Sequence, residues 1–336
     1  MMIQPFKALF FLTLILGSML TLSSPSWFIM WLGLEINLMS FIPIILENNN
    51  QRSTEASLKY FVVQASGSTL ILFSAVSLLL KNYPLSPPSF LQTSYILLLS
   101  LAAILKMGAA PLHFWFPGTA EGMSWLNCMT LMTWQKLAPM IFLSYMPLSS
   151  AVILSILLSS FFGSIGGLNQ TLMRKIMAYS SINHMSWMLL SIHLSMKIWT
   201  SYFLIYSLIS ISFMLFMLKN KIFHLSNLFF KKTNYQKFNC SLLLLSLGGL
   251  PPLLGFFPKW MVINKATSFS MFLTTFIILF TLISIFFYIR MIFSSTMLNY
   301  MNKKQMTLVS PNNTTEILSI LFSIIGTAVS MKIFFF

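Results

Sequence analysis

Apolar runs, each about long enough to cross a bilayer, follow one another along this chain with short polar breaks between them. No other feature limits the fold so strongly. Spanning about 30 Å of hydrocarbon takes about 20 apolar residues in a helix. Runs bounded by Pro, Asn, Lys or Ser clusters lie near 3–22, 25–46, 53–80, 91–117, 121–145, 148–168, 171–192, 198–219, 238–264, 268–297 and 315–334. Only 7% of the residues are charged and 57% are hydrophobic, whereas a soluble domain carries roughly 25% charged residues. The expectation is an all-α membrane protein of about 11 transmembrane helices, a single polytopic domain over 1–336 with no soluble lobe. Residues 3–22 follow a lysine as a signal peptide would, but no small-x-small cleavage site follows them, so they read as the first retained helix.

The net charge of +15 suggests nucleic acid only until the bases are placed. They are scattered between apolar runs and form no basic face, so nucleic-acid binding is not expected. Eleven spans put the termini on opposite sides. Lys7, Arg52, Arg174, Lys175, Lys219, Lys221, Lys231, Lys232, Lys237, Lys303 and Lys304 then share one side, and only Lys81, Lys197, Lys265 and Lys332 the other. That asymmetry places the N-terminus on the side of synthesis. Cys128 and Cys240 stand far apart, without a CxxC or a Cys/His cluster for zinc, haem or iron–sulfur. No GxGxxG or P-loop string occurs. The richness in Met and Phe and the lack of Asp give a compositional hint of an organellar genome.

Five basic residues fall inside spans: Lys59, Lys106, Lys136, Lys259 and Arg290. A charge at mid-helix costs about 2.5–3.5 kcal/mol on insertion scales, so each needs a partner, a water cavity or a proton to handle. Glu35 lies near the middle of the second span. It reads as a proton carrier or as one member of an ion pair with Lys59. Glu55 stands four residues before Lys59 and can pair with it, or cap the helix start, as Glu121 can. Lys106 and Lys136 lie deep in their spans beside helix breakers, Gly108 and Pro111 after the one and Pro139 after the other. A broken helix at that depth is tolerated where it is enclosed by protein or lines water; the plainer reading is a lysine bonded to freed carbonyls. Lys259 follows Pro258 closer to an interface, where snorkelling competes. His113, His184 and His193 can relay protons or simply pack, and His184 and His113 are the candidates preferred.

PLHFWFP at 111–117 and PLLGFFP at 252–258 form an internal repeat with an offset of 141 residues. Two interrupted segments in corresponding places point to a transport site between repeats. Spans one to five (1–147) and six to ten (148–297) would be two inverted five-helix halves, with 298–336 an added loop and C-terminal helix.

Six ordered strings, WLGLEINLMSF (31–41), STEASLKYF (53–61), LKMGAAPLHFWFP (105–117), MTWQKLAP (132–139), GGLNQTLMRKIMAYSSINHMSW (166–187) and SLGGLPPLLGFFPKW (246–260), resemble the antiporter-like subunit 2 family of mitochondrial NADH:ubiquinone oxidoreductase, respiratory complex I, in its shortened animal form. The resemblance covers essentially the whole chain. It implies a proton-translocating membrane-arm subunit of this reductase, driven by electron transfer from NADH to ubiquinone elsewhere in the complex. It implies no cofactor in this chain, with FMN, iron–sulfur clusters, NADH and ubiquinone belonging to other subunits. The expected partners are other membrane-arm subunits and membrane lipids such as cardiolipin. The expected location is the mitochondrial inner membrane, multi-pass, with the N-terminus in the matrix and the C-terminus facing the intermembrane space. The resemblance puts Glu35, Lys59, Lys106, Lys136 and Lys259 on a central polar axis. There Glu35 and Lys59 modulate, Lys106 and Lys136 pass protons, and Lys259 stands toward the exit. Ser186 stands where other members often have glycine, and bacterial members carry three further N-terminal helices. An autonomous cation/proton antiporter and a purely architectural membrane subunit are the alternatives.

Overall fold

The computed structural model describes residues 5–24, 26–47, 50–81, 90–227 and 234–297. The expected C-terminal region, 298–336 with its span at 315–334, lies outside the described residues. Among the described residues the fold is all helical, with one isolated bridge, Leu172 to His224, in place of any strand. The helices are α1 (Pro5–Ser23), α2 (Trp27–Ile45), α3 (Gln51–Lys81), α4 (Phe90–Met107), α5 (Trp115–Gly122), α6 (Trp125–Met132), α7 (Trp134–Ser144), α8 (Ser150–Leu168), α9 (Met173–Leu194), α10 (Met196–Lys219), α11 (Asn234–Gly248), α12 (Phe256–Phe269) and α13 (Met271–Met297). Six of them, α1, α2, α3, α8, α10 and α13, are long and apolar enough to cross a membrane.

Breaks fall where local chemistry demands them. Ser26 and Ser195 start α2 and α10, each hydroxyl accepting the N–H three residues on. The segment expected as one span near 91–117 is two helices, α4 and α5, interrupted between Met107 and Trp115. The segment near 238–264 is likewise split into α11 and α12. The segment near 121–145 is interrupted at Thr133, just before Lys136. Pro139, expected as the breaker there, lies inside α7. It is the sixth of eleven residues there, so it removes one i→i−4 hydrogen bond without ending the helix.

The chain forms two compact units, Met1–Ser159 and Ser160–Phe336. In the first, α1 packs along α2, α3 packs on α2, α4 and α5, and α7 packs against α1, α2 and α4. In the second, α9 packs on α10, α12 and α13, and α11 on α10 and α13. Large apolar side chains such as Leu12, Phe28, Val62, Leu204, Leu279 and Phe286 point outward. In water such a surface would aggregate, but in lipid it is the expected exterior. α9 is the reverse: Ser180, Ser181, Asn183, His184, Ser186 and Ser191 are all buried within the protein. That burial explains how a helix so polar can lie among apolar spans. Most serine and threonine hydroxyls donate to a carbonyl three or four residues back, Ser57 to Thr54 and Ser284 to Thr281 among them. Their frequency therefore marks hydroxyls satisfied within their own helices.

Candidate functional site

The two interrupted segments close in the same way. After α4, Gly108 has φ +72 and donates to the Leu105 carbonyl at 3.1 Å, while Ala109 donates to Ile104 at 3.2 Å. After α11, Gly249 has φ +74 and donates to Ser246 at 3.1 Å, while Leu250 donates to Leu245 at 3.4 Å. Each residue of the first closure is matched 141 positions later by its counterpart in the second. A left-handed residue that folds its own and the following N–H back onto the last turn is the glycine-terminated helix end. Glycine meets the positive φ without the Cβ clash that costs other residues about 1–2 kcal/mol.

Lys106 lies in the last turn of α4, 4% exposed. Ending a helix frees carbonyls that an ammonium could cap, but here they are already taken. The Lys106 carbonyl accepts Gln64 Nε2 at 3.0 Å, and that of Leu105 accepts Trp115 Nε1 at 3.1 Å. Lys106 Nζ itself is buried and has no hydrogen-bond partner, and the same holds for Glu35 Oε2. The Glu35 carboxylate is the charge that acts on this ammonium. Leaving either charge buried without solvation costs several kcal/mol.

Lys136 is 1% exposed, with its ammonium 5.5 Å from the centre of the Phe116 ring. Beside it, Gln135 joins three helices. Its Nε2 donates to Asn37 Oδ1 at 2.9 Å, and its Oε1 accepts the Tyr60 hydroxyl at 3.3 Å. Asn37 is two residues from Glu35, Tyr60 follows Lys59, and Gln135 precedes Lys136. Sequence reasoning passed over these three neutral groups; the available signal was their closeness to the charged positions.

Lys59 is placed differently: it lies on the exposed face of α3, as does Glu55 one turn earlier. The described structure therefore does not bring Lys59 to Lys106 and Lys136. Tyr60 and Gln64 are among the residues that α3 turns inward. Lys259, 7% exposed, donates to the Gly248 carbonyl at 2.7 Å. It is thus the lysine that caps a freed helix end, in contrast to Lys106. Arg290 is exposed, with Nη2 3.5 Å from the Gln170 carbonyl.

His113 is 2% exposed, its Nδ1 3.3 Å from the Pro111 carbonyl and its ring stacked on Phe114. His184, on α9, sets its Nδ1 2.9 Å from the Tyr202 hydroxyl. Among the described residues no group of three or more His, Cys, Asp or Glu is arranged to hold a metal ion.

Residues 24–287 match the family described as NADH:quinone oxidoreductase/Mrp antiporter, TM. Over 329 residues the chain is 45% identical to NADH-ubiquinone oxidoreductase chain 2 of Anopheles gambiae, covering 95% of this chain and 94% of that one. It is 44% identical over 334 residues to the protein of the same name from Aedes aegypti, covering 97% of each. In fold it is similar to a chain in the structure of respiratory complex I from Thermus thermophilus with bound aureothin. That match has a TM-score of 0.84 at 21% identity and covers 98% of this chain and 78% of the other.

Proposed function

Since this chain belongs to the NADH:quinone oxidoreductase/Mrp antiporter transmembrane family, we propose that it is a proton-translocating membrane-arm subunit of NADH:ubiquinone oxidoreductase in the mitochondrial inner membrane. The oxidoreductase assignment is supported by identities of 45% and 44% to animal chains of that name. The transport role rests on one observation above all: Glu35 Oε2 and Lys106 Nζ are buried without hydrogen-bond partners at a break whose freed carbonyls are already bonded.

In this reading, electron transfer takes place in other subunits, which hold FMN, the iron–sulfur clusters, NADH and ubiquinone. This chain converts the resulting electrostatic change into proton movement. Glu35 biases Lys106: as an opposite charge approaches or recedes, the ammonium is held or released. Lys106 and Lys136 pass the proton, His113 and His184 assist, and Lys259 stands toward the exit. Lys59 modulates from the outer face of α3, through whatever neighbours the assembly supplies there. The matched closures at Gly108 and Gly249 support two inverted five-span halves, 1–147 and 148–297, followed by an eleventh span. The N-terminus is then in the matrix. Neighbouring membrane-arm subunits cover part of the apolar exterior, and the basic residues between α10 and α11 meet anionic lipid such as cardiolipin.

The test replaces Lys106 and Lys136 singly with alanine in the intact assembly and measures protons moved per NADH oxidised in sealed vesicles. Each variant is expected to assemble and to lose most of its coupled pumping, by ~100-fold or more, the low end of what a positioned acid–base group contributes. Wild-type pumping by both variants would sink the reading. An autonomous antiporter, which the family name also covers, would purify alone and exchange a cation for protons without NADH. An architectural subunit would show unchanged proton yield in the lysine variants.

A further inference from the structure

Glu35 and Lys106 come from different helices, and α3 lies against both of those helices. Two contacts fix the register of α2 on α3. The Phe41 and Tyr60 rings meet edge on with centres 5.2 Å apart, and Trp31 Nε1 donates to the Ser68 carbonyl at 3.2 Å. Glu35 falls between Trp31 and Phe41 in sequence, so it stands level with the stretch of α3 between Tyr60 and Ser68. Trp31 is also one turn from Glu35 on the same face of α2. Its indole therefore anchors the part of α2 that carries the carboxylate.

The buried face of α3 at this level holds Gln64, Gly67 and Ser68, at positions i, i+3 and i+4. Gln64 Nε2 donates to the Lys106 carbonyl at 3.0 Å, which fixes the base of that lysine. The lysine stem then runs along Gly67: a Cβ there would come 3.0 Å from Lys106 Cγ and 3.4 Å from Lys106 Cε. The third neighbour, at 3.1 Å, is Leu105 Cδ2. Glycine in a helix interior is disfavoured and needs a reason. Backbone contact is the reason at Gly17 and Gly33, where an added Cβ would meet the other's carbonyl oxygen. At Gly67 the three nearest atoms all belong to side chains, two of them to Lys106. The missing side chain leaves a notch in α3, and the lysine stem fills it.

We propose that Gly67, with Gln64 and Trp31, is the positioning element of the Glu35–Lys106 pair, a notch in α3 that holds the lysine stem level with the carboxylate. The proposal rests on the pumping role given to this chain and adds three uncharged residues to it. Gln64 sets where the stem starts, Gly67 the course it takes, and Trp31 where Glu35 stands. The Lys106 ammonium has no hydrogen-bond partner, so the walls around its stem are what fix its place. A side chain at Gly67 would push the stem aside by a few tenths of an ångström.

The experiment uses the intact oxidoreductase assembly in sealed vesicles and measures coupled pumping beside the thermal midpoint of the complex. Alanine favours a helix more than glycine does, so Gly67→Ala is expected to leave the midpoint unchanged or higher. Its pumping is expected to fall about tenfold, since a misplacement of about 1 Å costs on the order of 100-fold. Wild-type pumping would overturn the proposal. So would a fall in pumping matched by a lower midpoint, which marks a packing role. Adding Leu105→Ala removes the other close contact; recovery of pumping in that double variant would place the damage on leucine packing and overturn the notch. If Gly67→Ala fails to assemble, Trp31→Phe keeps an aromatic ring and removes the N–H that holds Ser68. It is expected to pump about threefold more slowly in fully assembled complex, and wild-type pumping there overturns the proposal. The Lys106→Ala and Lys136→Ala variants keep the two readings apart. If they lose pumping while Gly67→Ala and Trp31→Phe do not, the notch alone is wrong; if they pump normally, the function is wrong as well.

Discussion

Among the buried polar residues, the amide of Gln135 has the clearest predicted cost of removal. Both ends of it are bonded, to Asn37 and to Tyr60, on two different helices. Gln135→Leu keeps the size and leaves two buried groups without partners, which predicts a loss of about 1–3 kcal/mol of stability. A lower thermal midpoint for the assembled complex would show it, and an unchanged midpoint would refute it. Gly249 yields a second prediction. A Cβ there would lie 2.9 Å from Lys259 Nζ, and the backbone sits at φ +74. Gly249→Ala therefore strains the turn by about 1–2 kcal/mol and pushes the ammonium from the Gly248 carbonyl. Pumping per NADH oxidised is expected to fall further than the amount of assembled complex, and equal falls in both would contradict this. Gly108→Ala meets the Phe116 side chain instead, at 2.8 Å, so its damage is expected to be to packing and assembly.

At the scale of the element, the α1–α2 pair is held by close backbone approach. A Cβ on Gly33 would lie 2.7 Å from the Gly17 carbonyl and 2.6 Å from Thr21 Cγ2. In lipid, where helix association depends on such close packing, small residues at the contact are the main source of stability. Gly33→Val is expected to drive the helices apart and reduce the subunit retained in purified complex. Leu32→Val, one position round on the outward face, is expected to leave it unchanged. Equal retention of both variants would show that this contact is dispensable. The interrupted helices obey the same physics in reverse: α4 ends where Gln64 and Trp115 donate to the carbonyls of Lys106 and Leu105, so protein groups satisfy these ends of the backbone.

At the scale of the whole molecule, each compact unit carries one buried cysteine. Cys128 is 0% exposed in the first unit and Cys240 is 3% exposed in the second, both outside any disulfide. Alkylation in native membranes is therefore expected to be slow at both and fast after denaturation. Stepwise denaturant should reveal whether Cys128 and Cys240 become reactive together or in turn. Rapid labelling of either thiol in the native complex would contradict the packing described.

Much of this was legible in the sequence because a membrane makes local composition decisive. Helices among the described residues occupy the apolar runs, and the positive-φ closures at Gly108 and Gly249 each fall three residues before the repeated strings PLHFWFP and PLLGFFP. Thr133 was not legible as a break, because threonine carries no local signal comparable to glycine or proline. Nor was it legible that Pro139 would sit quietly inside α7.

The sequence alone determined that buried backbone must pair within helices and that charges inside them must be few, since hydrocarbon offers no partner for either. Tertiary structure decided which polar groups meet. A residue on a helix turns by about 100° from its neighbour, so Tyr60 faces Gln135 while Lys59 faces outward. Tyr202 reaches His184 across a gap of 18 residues in the chain, a meeting set by how α9 and α10 pack and by nothing local to either residue.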